Sequence, residues 1–210
     1  MLFQLFLVLL LVVTSYSFLP FLIEPSVTNH RVRDFLIQKV QLKNGDLIFR
    51  RGTSIESQIV LLSDRESEYS HVGIIYILNG KPYVIHSVPS EADEKNEYIK
   101  MEKLESFLSD DKAARFALYR LRDELKDESQ AAGGFAYNCY LRKYSFDNDY
   151  DLKTDSKLYC TELIWKAYKS AGIDLLNGRL RSVNFIVVNK KLIMPSSIIQ
   201  SKLLRNIYSN

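Results

Sequence analysis

HVGIIYILNGKPYVIHSV (71–88) is the stretch whose reading decides the fold. HVGIIYIL (71–78) reads as a core strand, Asn79-Gly80 is a strong turn signal, and KPYVIHSV (81–88) returns as the antiparallel partner. The register stays open, because Asn79-Gly80 is either the whole two-residue turn or part of a longer one. His71 opens the first strand and His86 lies in the second, so their fifteen-residue separation contains one reversal. Facing positions on paired strands are about 5 Å apart, which brings two imidazoles within reach once the rings lean together. An isolated histidine at a strand edge is usually just packed or exposed; two of the chain's three in one hairpin shift the reading toward chemistry. His30, in the polar N-terminal segment, is read as structural.

Upstream, VTNHRVRDFLIQKVQL (27–42) fits a short helix, and Asn44-Gly45 turns the chain into a strand, DLIFRR (46–51), with Leu47 and Phe49 inward. Thr53 and Glu56 form a capping-box pattern ahead of a helix over 54–62, and the polar loop SDRESEYS (63–70) leads to His71. Downstream, LESFLSDD (104–111) reads as a short helix or turn. AARFALYRLRDELKDESQAAG (113–133) has a helical spacing at 114, 118, 121 and 125, while FALYRL alternates like a strand, and the local pattern does not settle it. The preferred reading is a strand over 115–120 and a helix over 122–132 that stops at Gly133-Gly134. FAYNCYLRKYSFDNDYD (135–151) is expected to be irregular. Tyrosines 137, 140, 144, 150 and 159 either line a substrate groove or form a small satellite core. FIVV (185–188) and a turn at Pro195 are expected to close the sheet.

The second informative run is DSKLYCTELIWKAYKSAG (155–172). Ile164, Ala167, Tyr168 and Ala171 share one helical face, Gly172 ends the run, and Cys160 stands at its start. A thiolate there faces unpaired helix N–H groups, which are expected to lower its pKa and make it nucleophilic. Backbone N–H groups near 160–161 are placed to serve an oxyanion, and Glu162 is read as a first-turn cap. The rival is a Cys139–Cys160 disulfide, which would silence the nucleophile; otherwise Cys139 is an apolar packing residue. Two histidines and one cysteine are also a zinc donor set, but the compact clamp spacing of a metal site is missing. The thiol scheme calls for no metal and no organic cofactor.

The 210 residues fit one domain, placed over 27–204, after an apolar leader. With 47% hydrophobic and 25% charged residues and only 8 Gly and 5 Pro, long disorder is excluded. The net charge of +3 comes from 28 basic and 25 acidic residues without a dense basic run, which argues against a nucleic-acid partner. MLFQLFLVLLLVV (1–13) with Ser15 and Ser17 behind it reads as a signal peptide over 1–17. Because LPFLI (19–23) prolongs the apolar character, an uncleaved membrane anchor is the rival. Either implies export to the periplasm or cell envelope, with peripheral or anchored membrane association open. A buried N-terminal strand or helix is the remaining reading of the leader.

NGDLIFRRG (44–52), SHVGIIY (70–76), YVIHS (83–87) and LYCTELIWKAYKSAG (158–172) follow one another in a specific order. On these the chain resembles the circularly permuted papain-like hydrolases of the NlpC/P60 superfamily, specifically the YiiX/YebB-like group, and more distantly the lecithin-retinol acyltransferase-like group. The resemblance implies an α+β fold with a central antiparallel sheet packed against helices. It also implies Cys160 as nucleophile, His71 as base and His86 as the third member orienting His71. Many YiiX-like members carry Glu at the third place, so His86 is a departure that leaves the substrate divided. Thiol-dependent cleavage of amide bonds in cell-wall peptides is the first expectation. Hydrolysis or transfer of lipid and acyl-ester groups, or a catalytically silent envelope-binding protein, are the alternatives. The histidine hairpin precedes the cysteine, the reverse of papain order, but geometry and not order defines the reaction.

Overall fold

The computed structural model describes residues 40–89, 98–178, 180–185 and 188–210. The leader, His30 and most of the helix expected over 27–42 lie outside the described residues; 40–42, its last residues, are not helical.

Turn chemistry sets the first part of the chain. Asn44 and Gly45 launch β1 (Leu47–Gly52), and Gly45 takes a left-handed φ of +85° that a side chain would strain. Helix α1 (Ile55–Ser63) follows, capped by Ser54, whose Oγ accepts from the Ser57 N–H at 3.3 Å. The expected cap, Thr53, instead donates its hydroxyl to the Asp111 carbonyl. β2 (His71–Leu78) and β3 (Lys81–His86) pair with Leu78 opposite Lys81, so Asn79-Gly80 is the whole turn. Both turn residues have positive φ, +51° and +74°, as a type I′ hairpin turn demands. β4 (Lys100–Lys103) adds to β3 and runs into the short helix α2 (Leu104–Phe107).

β5 (Ala113–Leu121) returns to pair with β1. Next comes α3 (Lys126–Leu141), which runs straight through Gly133-Gly134 and makes helix of 135–141. Here the sequence expectation fails for a packing reason. A β-carbon on Gly133 would sit 3.2 Å from the Gly45 nitrogen, so the glycine permits close helix-to-turn approach and does not stop the helix. α4 (Cys160–Ser170) is closed off by Ala171 and Gly172, the latter with a φ of +85°. β6 (Arg181–Phe185) and β7 (Val188–Leu192) form a separate two-stranded ribbon, so Phe185 and Val188 of the expected FIVV strand do not join the main sheet, and its middle two residues lie outside the described residues. Pro195 opens α5 (Pro195–Ile199), and the closing strand is β8 (Leu204–Ser209), paired with β5.

The main sheet runs β4-β3-β2-β1-β5-β8, antiparallel throughout. Helices cover both faces, so the strands are apolar on both sides. Leu47, Phe49, Val72, Ile74 and Ile85 pack toward α3 and α4 with Ala136, Leu163, Ile164 and Tyr168. Ile48, Ile75, Val84, Phe116 and Leu118 pack under Leu104, Phe107 and Leu108. Ile48 is therefore as fully buried as the two neighbours read as inward. Each such side chain contributes about 1.5–3 kcal/mol of burial. This is the α+β fold, a central antiparallel sheet packed against helices, that the sequence led us to expect.

Candidate active site

The β2–β3 ladder extends from Leu78↔Lys81 to Ile74↔Ile85 and then stops, and the strands part where His71 begins β2 and His86 ends β3. Alternation puts both imidazoles on the α2 side of the sheet, diagonal to one another across Gly73. His71 Nε2 lies 2.9 Å from His86 Nδ1. The rings meet edge to face at a centroid distance of 5.1 Å, and both rest on Phe107. Arg50, opposite His71 on β1, lays its guanidinium 4.3 Å from the Phe107 ring centroid and donates to the Phe107 carbonyl.

A residue that sequence reasoning missed completes the row. Glu102 on β4 brings Oε1 to 2.9 Å from His86 Nε2, and its Oε2 lies 3.4 Å from Lys112 Nζ. The His86 ring is not aimed squarely at the carboxylate, so the 2.9 Å contact is bent and not a linear hydrogen bond. The available signal was the alternation in IKMEK (99–103). Ile99 and Met101 join the core on the helix side, which leaves Lys100 and Glu102 for the histidine side. A strand of four residues that runs straight into a helix is too short to be read that way with force.

Cys160 sits at the first position of α4, partly exposed, across the open end of the sheet. Its neighbours hold it from both sides. The Thr161 hydroxyl donates to the Ile193 carbonyl at 2.6 Å, and the Tyr159 hydroxyl accepts from the Ile193 N–H at 2.9 Å. Ser87, just past His86, donates its hydroxyl to the Leu158 carbonyl, tying the end of β3 to the approach to Cys160. Glu162 reaches back to the Tyr159 N–H at 3.4 Å, the bracing role expected of it.

The electrostatics differ from expectation at the thiol. Burial pushes the Cys160 pKa up. The N–H groups of Thr161 and Val72, the Thr161 hydroxyl and the cysteine's own N–H pull the other way without reversing it. The helix-start donors are thus present as predicted, but desolvation of the sulfur outweighs them, and the resting thiol is not a pre-formed thiolate. The Val72 donor places the sulfur against the residue that follows His71. Burial, then the Arg50 cation and His86, hold His71 well below the usual imidazole range. Burial lowers His86 too, despite the opposing Glu102 contact. Both rings are therefore neutral at pH 7.

Both cysteines are free, so the disulfide alternative is not realised. Cys139 packs in the core of α3, where burial pushes its thiol to about 11. The tyrosines divide. Tyr137, Tyr140 and Tyr144 pack against the main core, with Tyr137 stacked on Tyr76 at 4.4 Å. Tyr150, 40% exposed, leans on Tyr159 beside the cysteine. Among the described residues, no three His, Cys, Asp or Glu side chains gather as metal ligands. No described helix is long and apolar enough to cross a membrane.

A cysteine at a helix start, set across the open end of an antiparallel sheet that carries paired histidines, defines a papain-like fold of permuted order. The chain belongs to the permuted papain-like amidase family YaeF/YiiX, C92, whose model matches residues 41–208. It is similar to the uncharacterized protein YiiX of Escherichia coli strain K12, 29% identical over 132 residues. That match spans 62% of this chain and 59% of the relative. The fold is also similar to the crystal structure of the metalloprotein yiiX from Escherichia coli O157:H7, with a TM-score of 0.66 and 21% identity. The likeness covers 81% of this chain and 98% of the other.

Proposed function

We propose that the protein is a thiol-dependent amidase in which Cys160 attacks the substrate carbonyl, His71 takes the thiol proton and His86 orients His71. The observation that carries this reading is the 2.9 Å contact between His71 Nε2 and His86 Nδ1, at the sheet end where Cys160 lies against Val72. With His71 Nε2 engaged by His86, its Nδ1 is the nitrogen left to act as base. A raised thiol and a lowered imidazole favour a neutral resting pair. Proton transfer then accompanies attack, as with a serine nucleophile, and no stored thiolate–imidazolium pair is needed. The N–H of Thr161 and the other donors at the start of α4 would receive the tetrahedral oxyanion, whose collapse breaks the C–N bond as His71 passes the thiol proton to the departing amine. Water, deprotonated by His71, would then release the acid and restore the thiol.

The substrate class we favour is a peptide-type amide such as a cell-wall stem peptide, met after export to the cell envelope, in keeping with the amidase family. The acyl-ester alternative has one observation behind it. Ile55, Ile59 and Leu62 form an exposed apolar ridge on α1, 77%, 46% and 71% exposed, at the end of β1 nearest His71. One structural relative is described as a metalloprotein. The two histidines here turn nitrogens on each other, Glu102 lies on the far nitrogen of His86, and among the described residues no three such side chains converge on one point. That donor set does not fit a resident metal, and no step above is routed through one.

The test is a comparison of wild type and Cys160→Ala on peptidoglycan stem peptides and on acyl esters of graded chain length. Turnover of the peptides that vanishes in the variant supports the amidase reading. Turnover of long-chain esters alone moves the assignment to the acyl branch, and turnover that survives Cys160→Ala removes the thiol mechanism.

A further inference from the structure

We propose that Glu102 is a positioning residue that fixes the tautomers of both histidines and so decides which nitrogen of His71 is free to accept a proton. This rests on the reading of His71 as the base and adds to it a member from a third strand.

The geometry carries the assignment. Glu102 stands opposite Val84 on the β3–β4 ladder, and His86 stands opposite Lys100, so alternation sends the Glu102 and His86 side chains to the same face. The contacts run in one line: Glu102 Oε1 to His86 Nε2 at 2.9 Å, then His86 Nδ1 to His71 Nε2 at 2.9 Å. An ionised carboxylate only accepts. Burial pushes the Glu102 carboxyl up, but the His86 contact and the Lys112 and Arg50 cations outweigh it and hold it at about 2. His86 must then carry its proton on Nε2 and, being neutral, offer a bare Nδ1. His71 must donate to that atom from Nε2, which leaves His71 Nδ1 bare. One charge at the far end of the row thus sets the state of a ring it does not touch. The other charged groups around the row are Arg50 on β1, Lys100 on β4 and Lys112 after α2; Arg50 disfavours protonation of both rings, Lys100 that of His86, and Lys112 holds Glu102 ionised.

Lys112 makes the proposal sharp. Because it donates toward Glu102 Oε2 at 3.4 Å, the amide of a Glu102→Gln variant is held with its oxygen toward Lys112 and its NH₂ toward His86. The wiring then reverses: His86 Nε2 accepts, His86 Nδ1–H donates, and the proton of His71 moves to Nδ1. The variant is isosteric yet blocks the base.

The experiment is nitrogen-15 NMR of the imidazoles in the full chain at pH 8, with the rate of Cys160 alkylation by iodoacetamide measured on the same samples. Wild type is expected to show His71 protonated on Nε2 and Glu102→Gln to show it on Nδ1, with Cys160 alkylation slowed about 100-fold, the scale of a lost general base. Adding Lys112→Met to Glu102→Gln frees the amide to turn and is expected to restore the Nε2–H form and most of the rate. His71 protonated on Nδ1 in wild type, or an unchanged tautomer in Glu102→Gln protein with a native thermal melt, overturns the proposal. A tautomer that switches while alkylation ignores both Glu102→Gln and His71→Ala upholds Glu102 as the tautomer-setting residue and removes the catalytic reading of His71 instead.

Discussion

A β-carbon on Gly73 would stand 3.2 Å from the β-carbon of His86 and 2.3 Å from Val84 Cγ1. The glycine is the gap across which the two imidazoles meet. Val72 and Ile74 on either side of it face the helices, so the missing side chain costs nothing on that face while clearing the other.

Gly73→Ala is therefore expected to push β3 away from β2 and break the His71–His86 contact, at a cost of about 1–3 kcal/mol from overpacking. Urea unfolding gives the energy, and Cys160 alkylation reports the site. The control is Gly134→Ala: it lies inside α3 with open space around the new β-carbon, and gains up to about 1 kcal/mol of helix propensity. Equal effects from the two substitutions would count against the role given to Gly73.

The neutral resting pair makes its own prediction. Because the Cys160 thiol is raised and His71 is lowered, alkylation of native protein should climb steadily toward alkaline pH with no plateau on the acid side. Cys139, raised to about 11 and buried in the core, should stay unlabelled until the chain is unfolded, when two thiols react. A rate already flat at pH 5 would mean a stored thiolate and would contradict the burial argument.

The sequence carried the hairpin with its two histidines and the helix that opens on Cys160 because each had a local signature: Asn-Gly at a turn, an apolar stripe at helical spacing, a cysteine just ahead of it. The features it concealed depend on partners far along the chain. Gly133 reads as a stop signal until Gly45 is seen packed against it, 88 positions away by their numbering. Glu102 is an ordinary acidic residue until the β3–β4 register sets it beside His86. The thiol pKa turned on the same point: the donors at a helix start are visible in sequence, whereas the desolvation that outweighs them is a property of the assembled site.

Asp46, with no exposed surface, is held by Arg120 through Nε and Nη2, each at 2.7 Å, and by the Lys43 N–H at 2.8 Å. This pair pins the start of β1 to β5, well away from the histidines. Arg120→Leu leaves the buried carboxylate without its cation, an expected loss of about 3–5 kcal/mol. Asp46→Asn combined with Arg120→Leu should recover part of it, because the remaining groups are neutral. A double-mutant cycle in urea checks this, and strict additivity of the two changes would show that the pair is not coupled.

Buried Glu162 and the two histidines bias stability in opposite directions as pH falls. The histidines are lowered in the folded protein, so below their unfolded value of about 6.5 the unfolded chain binds protons that the folded one refuses, and stability drops. Burial raises Glu162 from 4.5 to about 7, against the pull of Lys166 at 3.1 Å. Between pH 7 and 4.5 the folded state therefore takes up the extra proton, and stability rises, by about 3 kcal/mol at most. Wild type should show a shallow profile over this range, with a steeper loss below pH 4.5, where Glu102 begins to be protonated in the unfolded chain on its way to its folded value of about 2. Glu162→Gln removes the compensating term. Its urea midpoint should fall more steeply than that of wild type between pH 7 and 5, and parallel profiles for the two proteins would show that Glu162 does not titrate there.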